Sequence, residues 1–92
     1  MELYIPFKYT GNQNKKYSVY VIKDGKKKLI HFGDARYEQF FDQIGLYPEL
    51  DHFDAKRRNL YLKRATKIKN KNGEYTYKDK NSSNYWSINY LW

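Results

Sequence analysis

The chain contains no cysteine, so neither a disulfide framework nor a zinc-thiolate site is open to it. It has no long apolar run, which excludes a membrane-spanning helix, and the Met1-Glu2 start lacks the apolar stretch of a secretory signal, so an intracellular setting is expected. Its two histidines, His31 and His52, lie twenty-one positions apart and form neither a His-x-x-x-His nor a Glu-x-x-His pair. Phosphate-loop, nucleophile-elbow and dinucleotide-binding signatures are absent as well. Acidic residues are scarce, ten against eighteen Lys and Arg, a surplus of eight positive charges that favours anionic partners. What the chain does have is aromatic mass: eighteen Phe, Trp and Tyr residues, eleven of them tyrosine, within a 40% hydrophobic composition that suits a folded domain. Ninety-two residues allow one such domain, residues 1–92, with 1–14 as its N-terminal extension.

The strongest local signal is a pair of β-branched and aromatic runs, Tyr17 to Lys23 and Lys26 to Phe32, separated by Asp24-Gly25, the dipeptide favoured in type I′ hairpin turns. A two-residue turn sets Tyr17 opposite Phe32, Val19 opposite Ile30 and Val21 opposite Lys28 on the core side. Ser18 with His31, Tyr20 with Leu29 and Ile22 with Lys27 then occupy the other side, and a bulged turn would exchange the two faces. Glu2 to Tyr9 reads as an edge strand because of Pro6, and Thr10 to Lys16 as a polar loop. After Gly33, Asp34 caps an expected first helix whose apolar stripe is Tyr37, Phe40, Phe41 and Ile44, ended by Gly45. Asp51 or Asp54 caps a second, running to about Lys67, with Leu60, Tyr61, Ala65 and Ile68 inward. Asn70 to Gly73 reads as a turn, Glu74 to Lys78 as a short strand and Asn81 to Ser83 as another cap, while Tyr85 to Trp92 fits a short helix or an extended tail. The expected fold is α+β: an antiparallel hairpin or small sheet packed by two helices and an aromatic C-terminal element.

The candidates for chemistry favour binding over catalysis. Asp34, Glu38 and Asp42 recur every four residues, the pattern of a metal-dependent nuclease's acidic triplet, yet on the expected helix they lie off the apolar stripe and read as its solvated face. His31 reads as an ordinary strand residue. Asp51, His52 and Asp54 read as a helix cap in preference to a weak divalent-ion site. No catalytic residue, metal ligand or cofactor is assigned. The cations are better ordered: Lys56, Lys63 and Lys67 share one helical face beside a row of Arg57 and Arg64, and Lys26, Lys27 and Lys28 cluster at the hairpin end with Lys15 and Lys16 at its other end. These suit nucleic-acid phosphates or acidic protein faces, although lysines on a small domain also serve solubility alone. Tyr20, Tyr85, Trp86, Tyr90 and Trp92 are candidate protein anchors, with the alternative that the C-terminal rings close the domain's own core.

The series Lys16-Tyr17-Ser18-Val19-Tyr20-Val21, Ile30-His31-Phe32-Gly33-Asp34-Ala35-Arg36-Tyr37, Leu50-Asp51-His52-Phe53-Asp54-Ala55-Lys56-Arg57-Arg58, and Tyr85-Trp86-Ser87 with Tyr90-Leu91-Trp92 carries a resemblance. It resembles a family of small uncharacterised proteins encoded by large nucleocytoplasmic DNA viruses, over roughly residues 15 to 92, and is similar to a module of head-associated structural proteins of large tailed phages. Where those relatives tend to carry Arg-His-Gly after the basic helix, this chain has Arg64-Ala65-Thr66, which weakens any metal or phosphate role at that position. The resemblance implies a virion component, present in the host-cell cytoplasm or nucleus during assembly, with viral structural proteins as partners, DNA or RNA as further candidates, and no membrane. The expectation is a noncatalytic, capsid-associated protein, followed by a nonspecific nucleic-acid-binding protein, and last by the nuclease.

Overall fold

A computed structural model describes residues 3–92. The fold is α+β: a three-stranded antiparallel sheet in the order β1 (Phe7–Lys8), β2 (Lys15–Lys23), β3 (Lys26–Asp34), followed by α1 (Ala55–Ala65) and α2 (Ser83–Tyr90). The hairpin forms because Asp24 and Gly25 both take positive φ, 54° and 77°, as a type I′ turn requires. That turn fixes the register: Tyr17 pairs with Phe32, Val19 with Ile30 and Val21 with Lys28, as the alternation predicts. Those side chains, apart from Lys28, meet Trp86 and Leu91 of the C-terminal segment in the core. Gly33 allows that meeting. Its φ is +75°, and a Cβ there would stand 2.9 Å from Leu91 Cδ1 and 3.0 Å from the Lys16 side chain.

Several expectations change. The N-terminal strand shrinks to Phe7–Lys8, with Glu2 outside the described residues, and Tyr4 instead reaches β2 through its N–H to the Tyr20 carbonyl at 2.7 Å. β2 begins at Lys15, inside the expected loop, and β3 runs on to Asp34. No helix forms after Asp34. The segment 35–47 is irregular because its amides serve tertiary partners: Phe40 and Phe41 donate to the Leu91 carbonyl and Gln43 to the Tyr90 carbonyl, capping the end of α2 that a helix leaves unsatisfied. Tyr37 and Phe41, half of the expected stripe, are consequently exposed. Asp54 is the cap of α1, accepting from the Lys56 and Arg57 amides at 3.0 and 3.2 Å. Leu60 and Ile68 do not point inward as expected: only one narrow side of α1 is covered, and Ala65 is its sole buried residue. The expected strand at Glu74 to Lys78 is one bridge, Lys69 with Tyr75, followed by a 3-10 turn at Thr76–Lys78. Ser82 caps α2, and the Asn84 amide nitrogen ties it to the Ala65 carbonyl at the end of α1. No helix among the described residues is long and apolar enough to cross a membrane.

The irregular segment is held by a buried polar network. The Lys16 ammonium, 2% exposed, donates to the Tyr37 carbonyl at 2.9 Å and to Gln39 Oε1. Gln39 Nε2 donates to the Tyr47 carbonyl and to Asp51 Oδ1 at 2.9 and 2.6 Å. Asp51 Oδ1 also accepts from the Asp42 amide, and Asp42 in turn accepts from the Tyr17 hydroxyl at 2.5 Å and from the Ile44 and Tyr47 amides. Asp42, expected on a solvated face, is therefore 2% exposed and fully engaged.

Burial, reinforced by the bond to Asp42, raises the Tyr17 hydroxyl above its ordinary value of 10, and burial likewise raises Tyr61. Burial pulls Lys16 below 10.5, against the fields of Asp42, Asp34 and Asp51. A raised folded-state value means that the tyrosines' contribution is complete below pH 10 and is lost as pH rises past it, where the unfolded chain ionises first. Lys16 acts oppositely, since the folded state releases its proton before the unfolded one does. With the larger shift on Tyr17, stability is expected to fall between pH 9 and 11, as urea titrations would show. Tyr17→Phe, although weaker at pH 7, should flatten that slope. An unchanged slope in the variant would refute the assignment.

Candidate nucleic-acid interface

Along α1 each residue turns about 100°, so Leu60 falls between a row of Lys56 and Lys63 and a row of Arg57 and Arg64, with Tyr61 next toward the body of the protein. Tyr61 stacks on Trp92 with ring centroids 4.0 Å apart and planes 8° from parallel. Arg58 locks that stack from beneath, donating from Nε to the Trp92 carbonyl at 2.6 Å while its guanidinium lies 5.2 Å from the Phe40 ring. The far wall comes from the segment after β3. There Asp34 grips Arg36 by two side-chain bonds, 3.0 and 2.8 Å, and accepts its amide as well. These contacts hold the half-buried Asp34 carboxyl down at about 2. Arg36 so placed lies 5.5 Å from the Tyr37 ring, which is 64% exposed.

Between these walls lies a cleft of about 560 Å³ with Leu60, Tyr61, Tyr37 and Trp92 as its apolar surface and Arg36, Arg57 and Arg64 at its rim. The three arginines are not equivalent. Arg36 is neutralised by Asp34, and Arg57 meets Glu38 at 3.0 Å in an ion pair of which both halves are about 50% exposed. Such a pair contributes about 0–1 kcal/mol and yields readily to a phosphate. Arg64 has no carboxylate partner among the described residues. Cationic edges around a ring-bearing floor can hold phosphates and stack a planar group.

Lys56, Arg57, Lys63 and Arg64 thus stand together on α1. Lys67 is also exposed but lies two residues past the helix, which ends where Thr66 folds its hydroxyl back onto the Leu62 carbonyl at 2.7 Å. Lys26, Lys27 and Lys28 are exposed at the turn end of the hairpin, whereas Asp34, which anchors the cleft, closes its other end; the structure does not unite the two basic groups. Among the anchor candidates, Tyr20 is half-buried on the open face of the sheet, stacked on Phe7 at 5.5 Å. Trp86 is not an anchor for another protein: it is 3% exposed, because α2 presses it onto Phe32. Tyr85, Tyr90 and Trp92 pack partly buried against the same core, so the C-terminal rings close this domain. The acidic triplet is dispersed, with Asp34 on Arg36, Glu38 on Arg57 and Asp42 inside, and no group of three or more His, Cys, Asp or Glu suited to a metal occurs among the described residues.

Sequence spacing finds Arg57 and Arg64 but misses Arg36, Tyr37 and Leu60, which join the cleft only because the segment after β3 is irregular and α1 leaves Leu60 uncovered. Comparison with family models, with curated proteins and with solved structures finds no match to this chain.

Proposed function

We propose that this protein is a noncatalytic binding protein of a virus particle, which holds nucleic acid on α1 and the adjoining cleft. The observation that carries the binding is the exposed Leu60 set among Lys56, Arg57, Lys63 and Arg64, with Arg64 lacking an acidic partner among the described residues and Tyr37 presented across the cleft. A surplus of eight positive charges supports the choice of a polyanion. The particle setting rests on the sequence resemblance. Phosphates would displace Glu38 from Arg57 and occupy Arg64, while the lysine row follows the backbone.

Gel-shift titrations at several salt concentrations test the site. Each phosphate contact on duplex DNA contributes a log-log salt slope of about −0.9. Replacing Arg57, Lys63 and Arg64 with alanine is expected to flatten the slope by about one per residue lost, with little change in melting because all three side chains are exposed. Absence of binding at low salt, or a slope unmoved by the three substitutions, would remove the reading. Mass spectrometry of purified particles tests the setting separately: absence of the protein there leaves a nucleic-acid-binding protein outside the virion.

A further inference from the structure

In the order β1-β2-β3, the outer edge of β3 has no neighbouring strand among the described residues. The two-residue turn makes Lys23 and Lys26 the closing pair, and alternation from it assigns Val21 with Lys28, Val19 with Ile30 and Tyr17 with Phe32 to the positions bonded across to β2. The Tyr9 amide, which donates to the Lys16 carbonyl on the far side of β2, fixes the same phase. The main-chain groups of Lys27, Leu29 and His31 therefore point outward, and none has a main-chain partner among the described residues. Beside this edge runs a groove of about 430 Å³, with residues 28–31 on one side and parts of the 70–83 segment on the other. Asn81, on the facing wall, has a buried Oδ1 without a hydrogen-bond partner. Asp79, the acidic group of that wall, is engaged by the Asn81 amide at 2.9 Å.

We propose that this edge receives an extended, acidic segment of another protein, added as a fourth strand. Charge selects the occupant. Lys23, Lys26, Lys27 and Lys28 crowd one end of the edge against the single Asp24, and none of the four is in an ion pair among the described residues. A second copy of this chain would bring the same net +8, whereas carboxylates alternating along an incoming strand meet Lys26 and Lys28, which share one face of the sheet. The exposed Leu29 and its cross-strand partner Tyr20 offer the strand's other side chains an apolar surface on the open face of the sheet. Lysines at a sheet edge also discourage indiscriminate pairing, which leaves an acidic strand as the one admitted.

The probe is a fluorescein-labelled octapeptide of alternating glutamate and valine, titrated by anisotropy, with amide exchange followed by NMR. Binding is expected to slow exchange at Lys27, Leu29 and His31. Methylating the peptide's alternate amide nitrogens, or introducing Leu29→Pro, which removes an outward N–H and leaves the bonds to β2 intact, should each weaken binding more than about tenfold. Lys27→Glu with Lys28→Glu should weaken it further. Should Leu29→Pro fail to fold, the methylated peptides decide. Binding that ignores methylation, protection confined to other amides, no binding at millimolar peptide, or self-association through β3 in sedimentation would each overturn the proposal. Nucleic-acid binding on α1 does not depend on this edge, so either site can fail alone.

Discussion

Trp86→Ala is expected to lower the melting temperature by at least about 12 °C and to leave much of the protein unfolded at 37 °C. The indole is 3% exposed, with neighbouring rings on several sides: Phe32 at 6.3 Å, Tyr90 at 5.7 Å, Tyr85 at 5.1 Å and Tyr4 at 6.4 Å between centroids. Its N–H donates to the Lys80 carbonyl at 2.8 Å, which joins α2 to the turn preceding it. Truncating a buried tryptophan costs about 3–5 kcal/mol, because the cavity does not fully collapse. A domain of this size has about 5–15 kcal/mol in total, and each kcal/mol lost shifts its midpoint by about 4–8 °C. Trp86→Phe, which keeps a ring but not the N–H, should fall between wild type and alanine, and Leu60→Ala should change little because Leu60 is 60% exposed. Circular dichroism melts of the three variants provide the comparison. A Trp86→Ala midpoint within about 5 °C of wild type would mean that α2 does not complete the core.

Trp86 was legible only as a choice between a protein anchor and part of the domain's own core, and its burial makes it core. The hairpin was legible because a period of two and an Asp24-Gly25 turn are local properties; they left a two-residue or a bulged turn open, and the two-residue register is the one found. Caps were legible to within a few residues for the same reason: Asp54 was one of two candidates with Asp51, and Ser82 lies within the expected cap at Asn81 to Ser83. The segment 35–47 was not. Tyr37, Phe40, Phe41 and Ile44 match a helical template, but the amides of Phe40, Phe41 and Gln43 are taken by carbonyls of Tyr90 and Leu91, about fifty positions later, and no local pattern anticipates that competition. The cleft inherits this limit. Arg57 and Arg64 follow from helical spacing, whereas Arg36 and Tyr37 reach them only through the path of the irregular segment. Burial of Lys16 was equally hidden, as a lysine within a run of polar residues gives no sign of the acceptors that Tyr37 and Gln39 will supply.

That buried lysine gives the second large effect. Gln39→Leu is expected to cost about 1.5–3 kcal/mol in urea denaturation at pH 7, the range typical of a buried hydrogen bond to a charged group. Gln39 Oε1 is one of two acceptors for the Lys16 ammonium, and without it the charge is left with the Tyr37 carbonyl alone at a site closed to water. Lys16→Met alone should also destabilise, by orphaning Gln39 Oε1 and that carbonyl. Combining the two removes the charge and its amide partner together, so the double variant should recover at least about half of the loss caused by Gln39→Leu. Recovery will be incomplete, because both bonds from Gln39 Nε2 are still lost, although the Tyr47 carbonyl keeps the Leu50 amide at 3.1 Å and Asp51 Oδ1 the Asp42 amide at 2.8 Å. Single effects that simply add, within about 0.5 kcal/mol, would show that Lys16 and Gln39 act independently. The alkaline range gives a further readout with a definite sign: burial already lowers the Lys16 ammonium, and losing an acceptor lowers it more. Gln39→Leu should therefore regain part of its deficit as pH rises toward 10.5, where the folded state has shed that proton and the unfolded chain still holds it, whereas the double variant, lacking the lysine, should show no such gain.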